Sequence, residues 1–202
     1  MYQLFASVGG GSFPVHVILR ELEVPFELRL ITYGNEEIKA ANPLGQVPTL
    51  KLPNGDFLFE SSAILITSAE THPSANLLPP VTSCERREVL RWLGFCNSNL
   101  HPAFLPYYYP QRYHPAVSEI EAVQQAAIVR IRLLLTVVNQ HLAGRTWLTD
   151  SGFTIADAYM GLFGEWIEDQ DIREDEFPHF TAFIERFRSR ASVQAAKNAE
   201  GW

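Results

Sequence analysis

The chain has 202 residues, 47% of them hydrophobic and 19% charged, with a formal net charge of -7. That is enough apolar material for a buried core, in one large domain or two small ones. The acidic balance and the absence of a basic stripe exclude the electrostatic footprint of a nucleic-acid binder, and the two cysteines, Cys84 and Cys96, lack the spacing of a disulfide framework or a metal site.

Tyr2 to Ala6 reads as a short buried strand, followed by a glycine-rich turn over Val8 to Ser12. The N-terminus has no positive stretch followed by a long apolar one, so no signal peptide is expected. Phe13 to Glu23 carries Val15, Ile18, Leu19 and Leu22 at helical spacing. Ser12 is its candidate N-cap, and Pro14 falls in the first turn, where proline is tolerated. Phe26 to Ile31 alternates apolar and charged residues, the pattern of a strand. Thr49 to Leu52 and Phe57 to Phe59 flank Asn54-Gly55, a strong hairpin signal. Ser61 to Thr71 then reads as a helix. The helix joining the first two strands makes them parallel with a right-handed crossover, while the hairpin is antiparallel. The first part is therefore an α/β unit with a mixed sheet.

Three prolines between His72 and Ser83 mark a linker. Helical segments follow over Arg86 to Tyr109, Val117 to Leu142, Thr154 to Glu168, Phe177 to Ser189 and Val193 to Ala199. The apolar run Ile131 to Val138 is interrupted by Arg132 and Thr136 and is too short to span a bilayer, so no membrane association is expected. Two reduced thiols suit a cytoplasmic protein.

Three motifs carry chemistry. Asn42 to Leu50 contains Gln46-Val47-Pro48 directly before a strand. A cis Val47-Pro48 bond turns the N–H and C=O of Val47 outward, to pair with an extended peptide; an ordinary proline turn is the alternative. In Phe59 to Leu65, Glu60 and Ser61 stand at a strand-to-helix junction. They suit an α-amino acid head group, with the carboxylate on Ser61 and the helix N-terminus and the ammonium on Glu60, or they simply cap the helix. Thr154 and Asp157 have capping-box spacing, a structural role.

In this order and spacing, NPLGQVPTL, FESSAIL and TIADAY resemble the cytosolic glutathione transferase family over nearly the whole chain. The resemblance implies a thioredoxin-like glutathione-binding domain over residues 1–75, a linker over 76–84 and an all-helical domain over 85–202. It implies glutathione as co-substrate, no metal, and a homodimer. Pro48 is then cis, Val47 pairs with the cysteinyl backbone, Glu60 and Ser61 hold the γ-glutamyl end, and Gln46 assists. Asn99 to Phe104 is similar to the LHxAF segment of bacterial beta-class enzymes, which makes His101 a candidate near the thiol, or else a bystander in the cleft. A lysine common after that histidine is Pro102 here.

The catalytic position departs from the family pattern. Aligning the first helix puts the serine of the serine-type classes on Gly10 and the beta-class cysteine on Gly11. The beta-class tyrosine falls on Phe5. That leaves Ser12 as a catalytic hydroxyl or a mere cap, or else the N–H groups of Gly11, Ser12 and Phe13 as donors to a thiolate. Phe13, Phe104, Tyr107 and Tyr108 are expected to line a pocket for a small hydrophobic or aromatic electrophile. The expected activity is thiol conjugation. The alternatives are a glutathione-dependent isomerase and a non-catalytic binding or regulatory module.

Overall fold

The computed structural model describes residues 1–32, 35–170 and 172–202. Strand β1 (Tyr2–Ala6) pairs in parallel with β2 (Phe26–Leu30), from Tyr2 opposite Phe26 to Ala6 opposite Leu30. On its other side β1 runs antiparallel to β3 (Thr49–Lys51), which pairs antiparallel with β4 (Phe57–Phe59), giving the order β2-β1-β3-β4. Leu4, Ala6 and Leu50 are fully buried and belong to one core with the buried residues of α1 (Phe13–Glu21) and α3 (Ser61–Thr71). Gly55 takes φ +98° in the hairpin, and Asn54 Oδ1 accepts from the Asp56 N–H at 3.1 Å.

A short helix, α2 (Glu36–Ala41), lies in the stretch between β2 and β3, to which the sequence reading assigns no element. Asn35 caps it by accepting from the Glu37 N–H at 2.8 Å. Its one buried side chain, Ile38, is too little for an apolar period to show.

Beyond residues 73–83 the chain is helical. Helix α4 (Cys84–Phe95) runs through a π-helical turn (Cys96–Leu100) into α5 (His101–Tyr108). Pro102 explains the turn. It has no N–H for the Ser98 carbonyl, and its ring crowds that carbonyl. The helix widens, and the His101 N–H reaches the Cys96 carbonyl five residues back. The remaining helices are α6 (Ile120–His141), α7 (Ile155–Trp166), α8 (Pro178–Arg188) and α9 (Ala191–Glu200). No helix among the described residues is long and apolar enough to cross a membrane.

Helix α7 is the axis of the core, buried from Ile155 to Glu165. Side chains at Gly161 and Gly164 would collide with Phe187 and Ile184, so these glycines set how closely α8 approaches. The Thr154–Asp157 capping box is formed, and Asp157 Oδ1 also accepts from the Leu148 N–H at 2.8 Å. Helix α1 packs against both α7 and α9, so one continuous core joins the sheet to the helices.

Candidate active site

A cavity of about 570 Å³ opens where the β1–α1 loop, the loop before β3, α5 and α7 meet. Its floor is the loop over residues 7–12. Gly10 N–H donates to the Ser7 carbonyl at 3.0 Å, and Phe13 N–H donates to the Gly10 carbonyl at 2.9 Å. Ser12 is fully buried: its hydroxyl accepts from the Ser7 N–H at 3.1 Å and donates to the Ser7 carbonyl at 3.3 Å. Gly9 sits at φ +60°, its N–H donating to Glu200 Oε2 and its carbonyl accepting from Trp166 Nε1. A Cβ there would also lie 2.9 Å from the Trp202 ring.

The other two glycines make room for side chains from elsewhere. A Cβ at Gly10 would overlap the Ser7 hydroxyl, and one at Gly11 would lie 2.9 Å from His101 Cε1. Both Ser7 and His101 line the cavity. The N–H groups of Gly11 and Ser12 have no acceptor among the described residues.

The π-helical turn sets His101 at the head of α5. Its Nδ1 lies 2.8 Å from the Tyr159 hydroxyl, which is also 3.4 Å from Asn97 Oδ1. Phe163 and Trp166 meet its ring edge-on. Burial pushes the imidazole down to about 4, so it is uncharged at neutral pH, and burial raises the Tyr159 phenol.

On the opposite wall the Val47-Pro48 peptide bond is cis. Gln46 and Val47 face the cavity while Pro48 is buried. Asn42 Nδ2 and Thr49 Oγ1 donate to the Gln46 carbonyl at 2.9 and 3.0 Å and fix this loop. Glu60 stands at the head of α3 with φ +74°, an uncommon value for a residue with a side chain, and is exposed. Ser61 is buried there, and its hydroxyl donates to the Gly11 carbonyl at 3.1 Å, tying α3 to the glycine loop. At the outer end Leu105, Tyr108, Tyr109, Trp166 and Trp202 form an apolar and aromatic wall, with the Arg112 guanidinium 4.1 Å over the Tyr109 ring. Among the described residues no group of three or more His, Cys, Asp or Glu side chains lies together to hold a metal ion.

Residues 12–71 match the family model of the glutathione S-transferase N-terminal domain, and residues 95–191 that of the C-terminal domain. Glutathione S-transferase GST-4.5 of Xanthomonas campestris pv. campestris is 33% identical, over 98% of both chains. The chain belongs to the glutathione S-transferase family. A sphingomonad glutathione S-transferase solved in complex with glutathione superposes with a TM-score of 0.89, at 30% identity over 98% of each chain. The beta-class glutathione S-transferase of Sphingomonas chungbukensis gives the same figures.

Within this transferase, the cavity brings together Gly11, Gln46, Val47, His101 and Tyr108 from the residues singled out in the sequence. Four others need correction. Ser12 does not reach the cavity, because both roles of its hydroxyl are spent on the Ser7 backbone. Phe13 is fully buried against Phe187 and Trp202, and its N–H is taken by Gly10. Phe104 is fully buried, stacked on Phe163. Tyr107 sits off the cavity, edge-on to Tyr108, where its carbonyl accepts from Gln124. Glu60 and Ser61 stand beside the cavity at the head of α3, not on its lining. Sequence reasoning passed over Ser7, Trp166 and Trp202. The triple glycine is the one signal that pointed at Ser7, since a loop without side chains lets its neighbours in. Nothing local to Trp166 or Trp202 announces a wall assembled from the far end of the chain.

Proposed function

We propose that this chain binds glutathione in the cavity and transfers its thiolate to a small apolar or aromatic electrophile. One observation carries the reading: a single cavity runs from the Gln46–Val47 main chain, past the glycine loop and His101, to the aromatic wall. An extended tripeptide fits that course. Its cysteinyl backbone pairs with Val47, and its γ-glutamyl end reaches the head of α3. There Glu60 meets the ammonium group, and the free N–H groups and helix dipole meet the carboxylate. Ser61 supports this end indirectly, since its hydroxyl is occupied by Gly11.

The thiol then lies over the start of α1. The N–H group of Gly11 favours the thiolate there, and the uncharged His101 offers a ring nitrogen without adding charge. Holding thiolate and electrophile together supplies the orientation part of the rate. The electrophile rests against Tyr108, Trp166 and Trp202.

We assign the enzyme to the cytoplasm, in keeping with its two free thiols, and read it as a homodimer. Phe57 and Phe59 on β4, and Val129, Leu133 and Val137 at four-residue spacing along α6, expose the apolar surface a second copy would cover. Light scattering at micromolar concentration checks the oligomer.

The alternative of a non-catalytic glutathione-binding module draws on the missing side chains at positions 10 and 11, and an isomerase would use the same thiolate. Calorimetric titration with glutathione, beside turnover of a chloronitrobenzene, an activated alkene and an isomerisable substrate, separates them. Binding with conjugation is expected. Binding without turnover of any of the three supports the module, and no binding sinks the assignment.

A further inference from the structure

Of the two side-chain hydroxyls on the loop over residues 7–12, Ser12 is engaged with the backbone and Ser7 is not. Ser7 follows β1 directly, so the sheet fixes where it begins: Ala6 lies opposite Leu30, and its carbonyl accepts from the Ile31 N–H at 2.9 Å. The Ser7 backbone is then held by three hydrogen bonds, one from its N–H to Ser12 Oγ and two to its carbonyl from Gly10 N–H and Ser12 Oγ. Its own hydroxyl has no partner among the described residues, and it lines the cavity. The hydroxyl occupies the space a side chain on Gly10 would fill. Ser12 is its opposite: buried, fully engaged and turned away.

We propose that Ser7 is the side chain that holds the glutathione sulfur as a thiolate, its hydroxyl donating to the sulfur from the place a side chain at position 10 would otherwise take. The inference rests on the reading of this cavity as the glutathione site. Glycine at position 10 is then a requirement of the device. Any larger residue pushes the hydroxyl aside.

The chemistry balances without a further reactant. On binding, the thiol gives its proton to solvent, and Ser7 keeps its own proton while donating a hydrogen bond. The sulfur lone pair forms the new C–S bond. A leaving group departs with its bonding electrons; with an activated alkene, the π pair moves to the neighbouring carbon, which then takes a proton from water. Ser7 ends as it began. A donor to an anion in a partly desolvated site is stronger than one between neutral groups. His101 is uncharged and adds no Coulombic help, and the guanidinium of Arg112, also on the cavity lining, lies over the Tyr109 ring at the outer end.

The test follows the ultraviolet thiolate band of bound glutathione against pH, with calorimetric affinity and melting temperature for each variant. Ser7→Ala is expected to raise the midpoint by about one pH unit and lower kcat/KM about tenfold at neutral pH, with the rate recovered in alkali. The melting temperature of the ligand-free protein should hardly move, because this hydroxyl bonds nothing among the described residues, and affinity should fall only at pH values above the midpoint, where glutathione is bound as the thiolate. Gly10→Ala, with Ser7 still present, should reproduce the rise. The double variant Ser7→Ala/Gly10→Ser returns a hydroxyl to the same space and should bring the midpoint back. An unchanged midpoint in Ser7→Ala, or a double variant no better than the single one, overturns the role of Ser7 and leaves the N–H group of Gly11. A parent protein that binds glutathione with an unshifted thiol overturns it as well. A parent that binds no glutathione defeats the functional reading instead.

Discussion

His101 is kept uncharged by its surroundings: a phenol on one nitrogen, aromatic edges around the ring, and little water. An unfolded chain takes up a proton at this imidazole near 6.5, whereas the folded protein resists until about 4. Between those values the unfolded state binds more protons, so this residue's contribution to stability shrinks as pH falls from 6.5 to 4. The loss should amount to roughly 2 kcal/mol, allowing for partial exposure. In the ligand-free protein its ring-proton resonance, assigned by its disappearance in His101→Phe, should titrate near 4; a midpoint of about 6 or higher would contradict the burial argument. Ser12 gives a second prediction at this scale. Ser12→Ala removes two hydrogen bonds that close the buried loop, so it should cost about 1–2 kcal/mol in denaturant unfolding. Per bound glutathione, the chemical step should be little affected. A large fall in kcat with unchanged stability would restore Ser12 as the catalytic hydroxyl. Sequence position alone favours Ser12, because it is the serine nearest the helix start. Only the fold shows that the loop doubles back and hands the cavity face to Ser7.

The elements themselves were mostly legible. Strand β1 falls where the short apolar run places it and β4 where the Asn-Gly turn does, while β2 and β3 end one residue sooner. The long helices follow their apolar periods within a few residues. What was not legible is revealing. The single segment Arg86 to Tyr109 hides a π-helical turn, because Pro102 looks local while its effect falls on a carbonyl four residues back. That turn aims His101, so the part of the site least visible in the sequence is a backbone irregularity. Phe13 and Phe104 were misplaced for a related reason. Periodicity marks an apolar face but does not say whether that face meets a core or a cavity. At this scale the capping box of α7 is the feature to probe. Asp157 accepts from the Leu148 N–H, the Thr154 N–H and the Thr154 hydroxyl while fully buried, and burial pushes its carboxyl up to about 6. Asp157→Ala strands those donors without water. It should cost about 3 kcal/mol, read as a lower denaturation midpoint with an unchanged slope.

At the scale of the whole molecule, the last helix returns to brace the first loop. Glu200 on α9 is buried and divides its carboxylate between two donors, Gly9 N–H at 3.0 Å and His16 Nδ1 at 2.7 Å. Arg20 Nε donates to His16 Nε2 at 2.9 Å, so that nitrogen must offer a lone pair and the ring proton sits on Nδ1, pointing at Glu200. Trp166 on α7 closes the same brace from the other side by donating to the Gly9 carbonyl at 2.8 Å. Residues from both ends of the chain thus fix a loop that carries almost no side chains of its own. A glycine run is permissive, and left alone it would pay a large ordering cost each time a ligand bound. Glu200→Gln tests this directly. The amide has one acceptor oxygen for two donors, so one N–H is left facing another N–H in a buried site. We expect about 1–3 kcal/mol of lost stability. Amide exchange at Gly9 should quicken, and glutathione affinity should fall more than the unfolding midpoint alone would suggest, since binding would then have to order the loop. If exchange at Gly9 stayed as slow as in the parent while stability fell, the carboxylate would be holding α9 to α1 and the loop would owe its shape to Trp166.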